Sequence, residues 1–250
     1  MNKVSTVILI TAALVASGCA TKEAPSYTSF VNTKIGSGGH GHVFVGASVP
    51  FGMVQLGPTS IPQDWDWCSG YHDSDNSVIG FSHTHLEGTG IGDLFDVTVM
   101  PVIGEVTYAR GESGDVSTGL WSPADRTKEV STPSYYSVPL TRYGILAEMA
   151  ATCRVGMHRY TFPASTEAAI VFDLRNGRCW DPPYGTMIEK VSDNTIRGYR
   201  YSTGWAKNQR VFFHAEFSKP FKNITFIDGP NRADDGSMTE SPMYARMDFD

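Results

Sequence analysis

The sequence has no basic run. Its 26 acidic residues exceed its 20 lysines and arginines, for a formal net charge of −6, which argues against nucleic acid as a partner. After the first twenty residues no segment is apolar enough to cross a membrane as a helix. No stretch there holds a 3.6-residue apolar period over three turns, so the chain is not built from helices. There is no internal repeat, and the glycine-rich segments lack the GxxxxGK[ST] pattern of a phosphate loop. Cysteine is scarce, with four in the chain.

One apolar run stands at the N-terminus. Lys3 supplies a positive charge, and Val7 to Val15 is apolar but too short to span a bilayer. Val15-Ala-Ser-Gly-Cys19 resembles a bacterial lipobox, in which the cysteine is lipidated and becomes the mature N-terminus; an ordinary cleaved signal is the alternative. Residues 1–26 read as a lipoprotein signal peptide and polar tether. They predict a lipid-anchored protein of the periplasm, outer membrane or cell surface. The remaining Cys68, Cys153 and Cys179 are an odd set and allow at most one disulfide, its pairing open.

Residues 27–250, about 225 in all, match the size of one all-β domain. Arg210 to Phe217 places Val211, Phe213, Ala215 and Phe217 on one face and His214 and Glu216 on the other. Arg154 to Phe162, Ile145 to Ala151, Ser134 to Pro139 and Thr195 to Tyr201 read as strands, with Pro139 marking an end or an edge. Phe51 to Leu56 is a further candidate, and Ala168 to Leu174 is apolar enough for a buried central strand. Gly111 to Glu129 reads as a hairpin or long loop and Gly177 to Gly185 as irregular. Pro242 to Asp250 reads as a strand in progress. The fold class is all-β, an antiparallel β-sandwich, with two packed sheets as the simplest form.

The densest chemistry lies in Gly80-Phe-Ser-His-Thr-His-Leu-Glu-Gly-Thr-Gly-Ile-Gly-Asp-Leu-Phe-Asp96, between two strand-like runs. Its glycines allow close backbone approach to a ligand; a surface loop that only turns the chain is the alternative. On an extended strand His83, His85 and Glu87 would share a face, the composition of a zinc or non-haem iron site; loop histidines held by hydrogen bonds are the alternative. His40-Gly-His42 sits in a second glycine-rich turn. Trp65 and Trp67 flank Asp66, and an indole face suits either a sugar C–H surface or the core. Asp66, Asp93 and Asp96 suit turn caps or acceptors for sugar hydroxyls.

The Gly80–Asp96 run resembles the GFSHTHLSGTG signature of glycoside hydrolase family 92, the calcium-dependent exo-acting α-mannosidases. Ile35 to Ala47 with Val49 to Leu56, and Trp65-Asp-Trp-Cys-Ser-Gly-Tyr71, match two more stretches in the same order. Glu87 and Val45 depart from the pattern, replacing a small hydroxyl residue and a proline. The resemblance implies the N-terminal sandwich of an inverting exo-α-mannosidase acting on terminal α-mannosides of glycans, such as α-1,2-linked mannose. It implies a helical (α/α)6 barrel in cis, absent from this chain, which carries the acid and base carboxylates and binds calcium. No catalytic residue is therefore expected here, and no metal ligand. The substrate-binding residues implied are Trp65, His83, His85, Glu87, His40, His42 and Asp93, with a mannose-containing glycan as ligand. A stand-alone carbohydrate-binding module without catalysis is the alternative.

Overall fold

The computed structural model describes residues 26–175, 180–228, 231–233, 239–240 and 244–250. The signal segment with Cys19, and Cys179, lie outside them. The all-β antiparallel reading is borne out: among the described residues the helical turns are single 3-10 turns, and no helix is long and apolar enough to cross a membrane.

The largest sheet has eight strands among the described residues. Their order is Ala47–Ser48, Gln55–Thr59, Gly80–Ser82, Thr98–Ile103, Ala168–Asp173, Tyr244–Asp248, Asn223–Asp228 and Asn231–Ala233. A first flanking sheet runs Gly156–Thr161, Ile145–Ala151, Tyr135–Leu140, Val130–Thr132. A second runs Gln209–Glu216, Thr195–Ser202, Pro183–Ser192, Thr239–Glu240.

Side-chain parity assigns the layers. Met100, Val102, Ala169 and Val171 pack with Tyr136, Val138, Leu140, Ile145, Ala147 and Met149 of the first flanking sheet. Their strand neighbours Val97, Val99 and Phe172 pack with Ile188, Ile196, Val211 and Phe213 of the second. Successive residues of a strand point to opposite faces, so the large sheet is covered on both sides. That is why Thr98–Ile103 and Ala168–Asp173 are almost wholly buried and read as apolar runs rather than alternations. The sandwich thus has three layers where two were the simplest expectation. Each fully buried Val, Leu or Phe contributes about 1.5–3 kcal/mol.

The flanking sheets keep one face in water, and their strands alternate accordingly, as in Gly156–Thr161 and Gln209–Glu216. Pro139 pairs with Leu146 on one side and lies past the end of Val130–Thr132, which reaches only Ser137. Two boundaries differ from the sequence reading. Phe51 is fully exposed in a turn, and its strand starts at Gln55. The last three residues of the stretch read as irregular, from Pro183, belong to a strand entered through a bulge opposite Ser202. Its Pro-Pro start and polar content hide it. Arg110–Glu112 and Asp115–Gly119 form the expected hairpin. Cys68 is buried, and Cys153 is exposed and free.

Candidate functional site

The Gly80–Asp96 run leaves the sheet at Ser82 and returns to it at Thr98. Three non-glycine residues near its end take positive φ: Leu94 at 78°, Phe95 at 55° and Val97 at 53°. Such conformations cost on the order of 1–3 kcal/mol each and persist where surrounding contacts impose them. Here those contacts come from the second flanking sheet. Arg200, fully buried, gives Nη1–H to Asp96 Oδ1 at 2.7 Å and Nη2–H to the Asp181 carbonyl at 2.7 Å. Asp96 Oδ2 accepts from Thr84 Oγ1 at 2.8 Å and from Gln209 Nε2 at 2.7 Å. Asp181 Oδ1 accepts from Leu94 N at 3.0 Å, and its Oδ2 from Ser202 Oγ at 2.7 Å.

The outer part of the loop meets the Trp65 turn. Trp65 Nε1–H donates to the Gly90 carbonyl at 2.9 Å, and the indole is 53% exposed. Gly90 has φ +71°, and a Cβ there would stand 2.8 Å from the indole. Gly88 N–H donates to the His42 carbonyl at 2.7 Å, which joins the His40–His42 turn to the same rim. His40 Nδ1–H and His42 Nε2–H both donate to Asp66 Oδ1, at 2.6 and 3.1 Å. The His42 ring meets the Trp65 ring edge-on at 4.2 Å. The hydrogen bond to Asp66, then its charge, raises the His40 pKa; the bond from His40 lowers that of Asp66. Asp64 caps this turn by accepting from Asp66 N.

Two more indoles border the loop. Trp180, 48% exposed, lies against Gly92 and donates its backbone N–H to the Gly92 carbonyl at 2.7 Å. Trp205, 61% exposed, is fixed by its backbone N–H to Asp93 Oδ2 at 2.6 Å. Asp93 is buried and spends that oxygen on the Trp205 turn. Sequence reasoning missed Trp180, Trp205, Asp181 and Arg200. All four reach the loop from 87 to 112 positions away, and no local pattern marks them.

His83, His85 and Glu87 do not converge as a metal triad. That reading needs an extended strand, and the strand ends at Ser82. His83 Nδ1–H donates to the Val97 carbonyl at 2.6 Å, so its Nε2 accepts from His158 Nε2–H at 3.0 Å; His158 Nδ1 then accepts from Tyr160 O–H at 2.7 Å. His85 Nδ1–H donates to the Gln55 carbonyl at 2.7 Å, and its ring stacks on Phe44 at 4.7 Å. Its Nε2 is buried with no hydrogen-bond partner among the described residues. Burial holds all three histidines below their ordinary pKa, His85 at about 4. The Glu87 carboxylate accepts from the Phe44 backbone, and burial raises its pKa. Of the seven residues read as substrate-binding, Trp65 and His40 stand on the open rim, His42 and Asp93 are buried beside it, and Glu87 is half-buried. His83 and His85 turn inward.

A family model, the glycosyl hydrolase family 92 N-terminal domain, matches residues 30–250. The chain belongs to glycoside hydrolase family 92. A family 92 α-mannosidase from Bacteroides thetaiotaomicron, solved alone and with mannoimidazole, is 34% identical with TM-scores of 0.85 and 0.84, and the match covers 89% of this chain. A family 92 inverting mannosidase from the same organism shares the fold, with a TM-score of 0.73 at 22% identity over 91% of this chain. A protein of Arthroderma benhamiae named as an uncharacterized secreted glycosidase is 26% identical over 165 residues, 62% of this chain. The chain spans 20% of that curated relative and about 30% of the solved chains. This family 92 domain carries a rim of half-exposed indoles with one exposed imidazole, a second imidazole buried beneath it and a carboxylate between them. Such a surface suits a ligand with apolar faces and hydroxyl edges.

The resemblance implies calcium, which takes six to eight oxygen ligands. Among the described residues, the one cluster of three such side chains with metal-ligand geometry is His40, His42 and Asp66, two nitrogens and a carboxylate. That set does not fit calcium.

Proposed function

We propose that this chain is the sandwich wall of the substrate pocket in an inverting exo-α-mannosidase that removes terminal mannose, such as α-1,2-linked mannose, from glycans. The observation that carries the reading is Trp65, half-exposed and held by Gly90 beside His40 and His42. An indole fixed in this way offers one face to the leaving sugar. The catalytic carboxylates and calcium belong, in this reading, to a helical barrel in cis. Export follows from the N-terminal signal pattern and accords with the relative named as secreted. Anchoring through a lipid on Cys19 belongs to the same reading.

The test uses the longer enzyme with its barrel. Trp65→Ala should reduce kcat/KM on a mannose disaccharide by about ten- to a hundredfold more than on a mannoside with a small activated leaving group, because remote binding energy lowers the barrier only where the second sugar is present. Equal losses on both substrates would assign Trp65 to structure alone. Anchoring is checked separately: Cys19→Ser should move the protein out of the membrane fraction, and unchanged attachment would end that part of the reading.

A further inference from the structure

We propose that His40 Nδ1, His42 Nε2 and an Asp66 carboxylate oxygen form a binding site for a single zinc ion, or another borderline divalent transition ion, at the foot of the Trp65 indole. The three ligand atoms lie within 4.8 Å of one another. Two imidazoles and one carboxylate are donors that zinc accepts, at about 2.0–2.2 Å. Three protein ligands leave further positions open for water or another oxygen ligand.

The site is held in place before any ion arrives. His42 has φ +56° and a side chain only 6% accessible. Its carbonyl is fixed by Gly88 N–H, and its ring by the Trp65 edge. A side chain at position 41 would meet the Gly36 carbonyl at 2.0 Å, so only glycine lets the turn bring the two histidines together. Asp64 holds the Asp66 backbone from the other side. The His40 side chain is 80% accessible and leaves an entry path from solvent. Without metal, Asp66 Oδ1 accepts a proton-bearing nitrogen from each ring. An ion takes the place of those two hydrogen bonds. Each ring keeps one proton by moving it to its other nitrogen, and any extra proton on His40 is released.

The site shares His40 and His42 with the sugar-pocket reading but is argued from ligand geometry alone, and its test reads zinc binding rather than sugar hydrolysis. The test titrates the untagged chain with zinc, and in parallel with calcium, by calorimetry near neutral pH. One equivalent of zinc should bind with micromolar or tighter affinity, weaken as pH falls because imidazole must be unprotonated, and raise the melting temperature. Calcium should give no comparable heat. His40→Ala, at an exposed side chain that folding does not need, should weaken zinc binding by about tenfold or more, and so should Asp66→Asn. His214→Ala, an exposed histidine on the outer face of the second flanking sheet, should leave it unchanged. Absence of zinc binding at high micromolar concentration would overturn the proposal. So would binding that His40→Ala and Asp66→Asn leave intact, or that His214→Ala removes.

Discussion

At the scale of single residues, the histidines divide by surroundings rather than by motif. His40 is in water and paired with a carboxylate. His83, His85 and His158 are buried as neutral rings, and their hydrogen bonds fix opposite tautomers on His83 and His158. In the unfolded chain each would return to about 6.5. Below that pH the unfolded chain takes up protons that the folded chain refuses. Their contribution is therefore intact above about pH 6.5 and is lost as pH falls toward the folded values. For His85, held at about 4, the loss is on the order of 3 kcal/mol. His40 acts with the opposite sign but is exposed. The urea midpoint should thus fall between pH 7 and pH 5, before carboxylates begin to titrate; a flat or rising midpoint would contradict the neutral assignment. None of this was legible in the sequence. A His-x-His spacing says that two rings share a face only if the backbone stays extended, and here it does not. The Trp65 and glycine-loop motifs were more informative, because contact of Trp65 with Gly90 requires glycine at that point.

At the scale of elements, the glycine-rich loop is organised by a strand of a different sheet. Thr195–Ser202 delivers Arg200, and through it Asp96 and Asp181 are held in a volume closed to water. Removing one member of such a group leaves buried charge without compensation. Arg200→Met should therefore cost about 3–5 kcal/mol, measured by urea unfolding. It should also raise the solvent exposure of Trp65 and Trp180, read by fluorescence quenching, since the loop they rest on loses its anchor. A cost below about 1 kcal/mol, the value of an exposed pair, would remove this network from its anchoring role. The strands themselves were readable where one face is wet, as in Gln209–Glu216. Pro183–Ser192 was not, because prolines and charged residues dilute its alternation.

At the scale of the whole molecule, the double cover of the large sheet sets where stability resides. Ala168–Asp173 is paired along both edges, Thr98–Ile103 is paired along one edge with a single pair, Val99 with Phe81, on the other, and both strands are packed on both faces. Their amides should exchange with solvent only through global opening, and the Arg110–Gly119 hairpin should exchange far earlier. Central amides that exchange as fast as that hairpin would refute the three-layer account. The apolar runs in the sequence marked these strands as buried; that each face has its own covering sheet follows only from tertiary parity. The same arrangement has a consequence for how the chain is made. Thr98–Ile103 and Ala168–Asp173 are both made by position 173, ahead of their sheet neighbour Tyr244–Asp248, whereas the residues that cover one face end near position 161 and those that cover the other near position 216. At synthesis rates of about 5–20 residues per second, the Val97, Val99 and Phe172 face, once Phe172 is made, waits about 2–9 seconds for its lid. The half-made protein therefore presents an uncovered apolar sheet to whatever holds nascent chains, and a pause in translation before the hairpin Thr195–Glu216 would prolong that state.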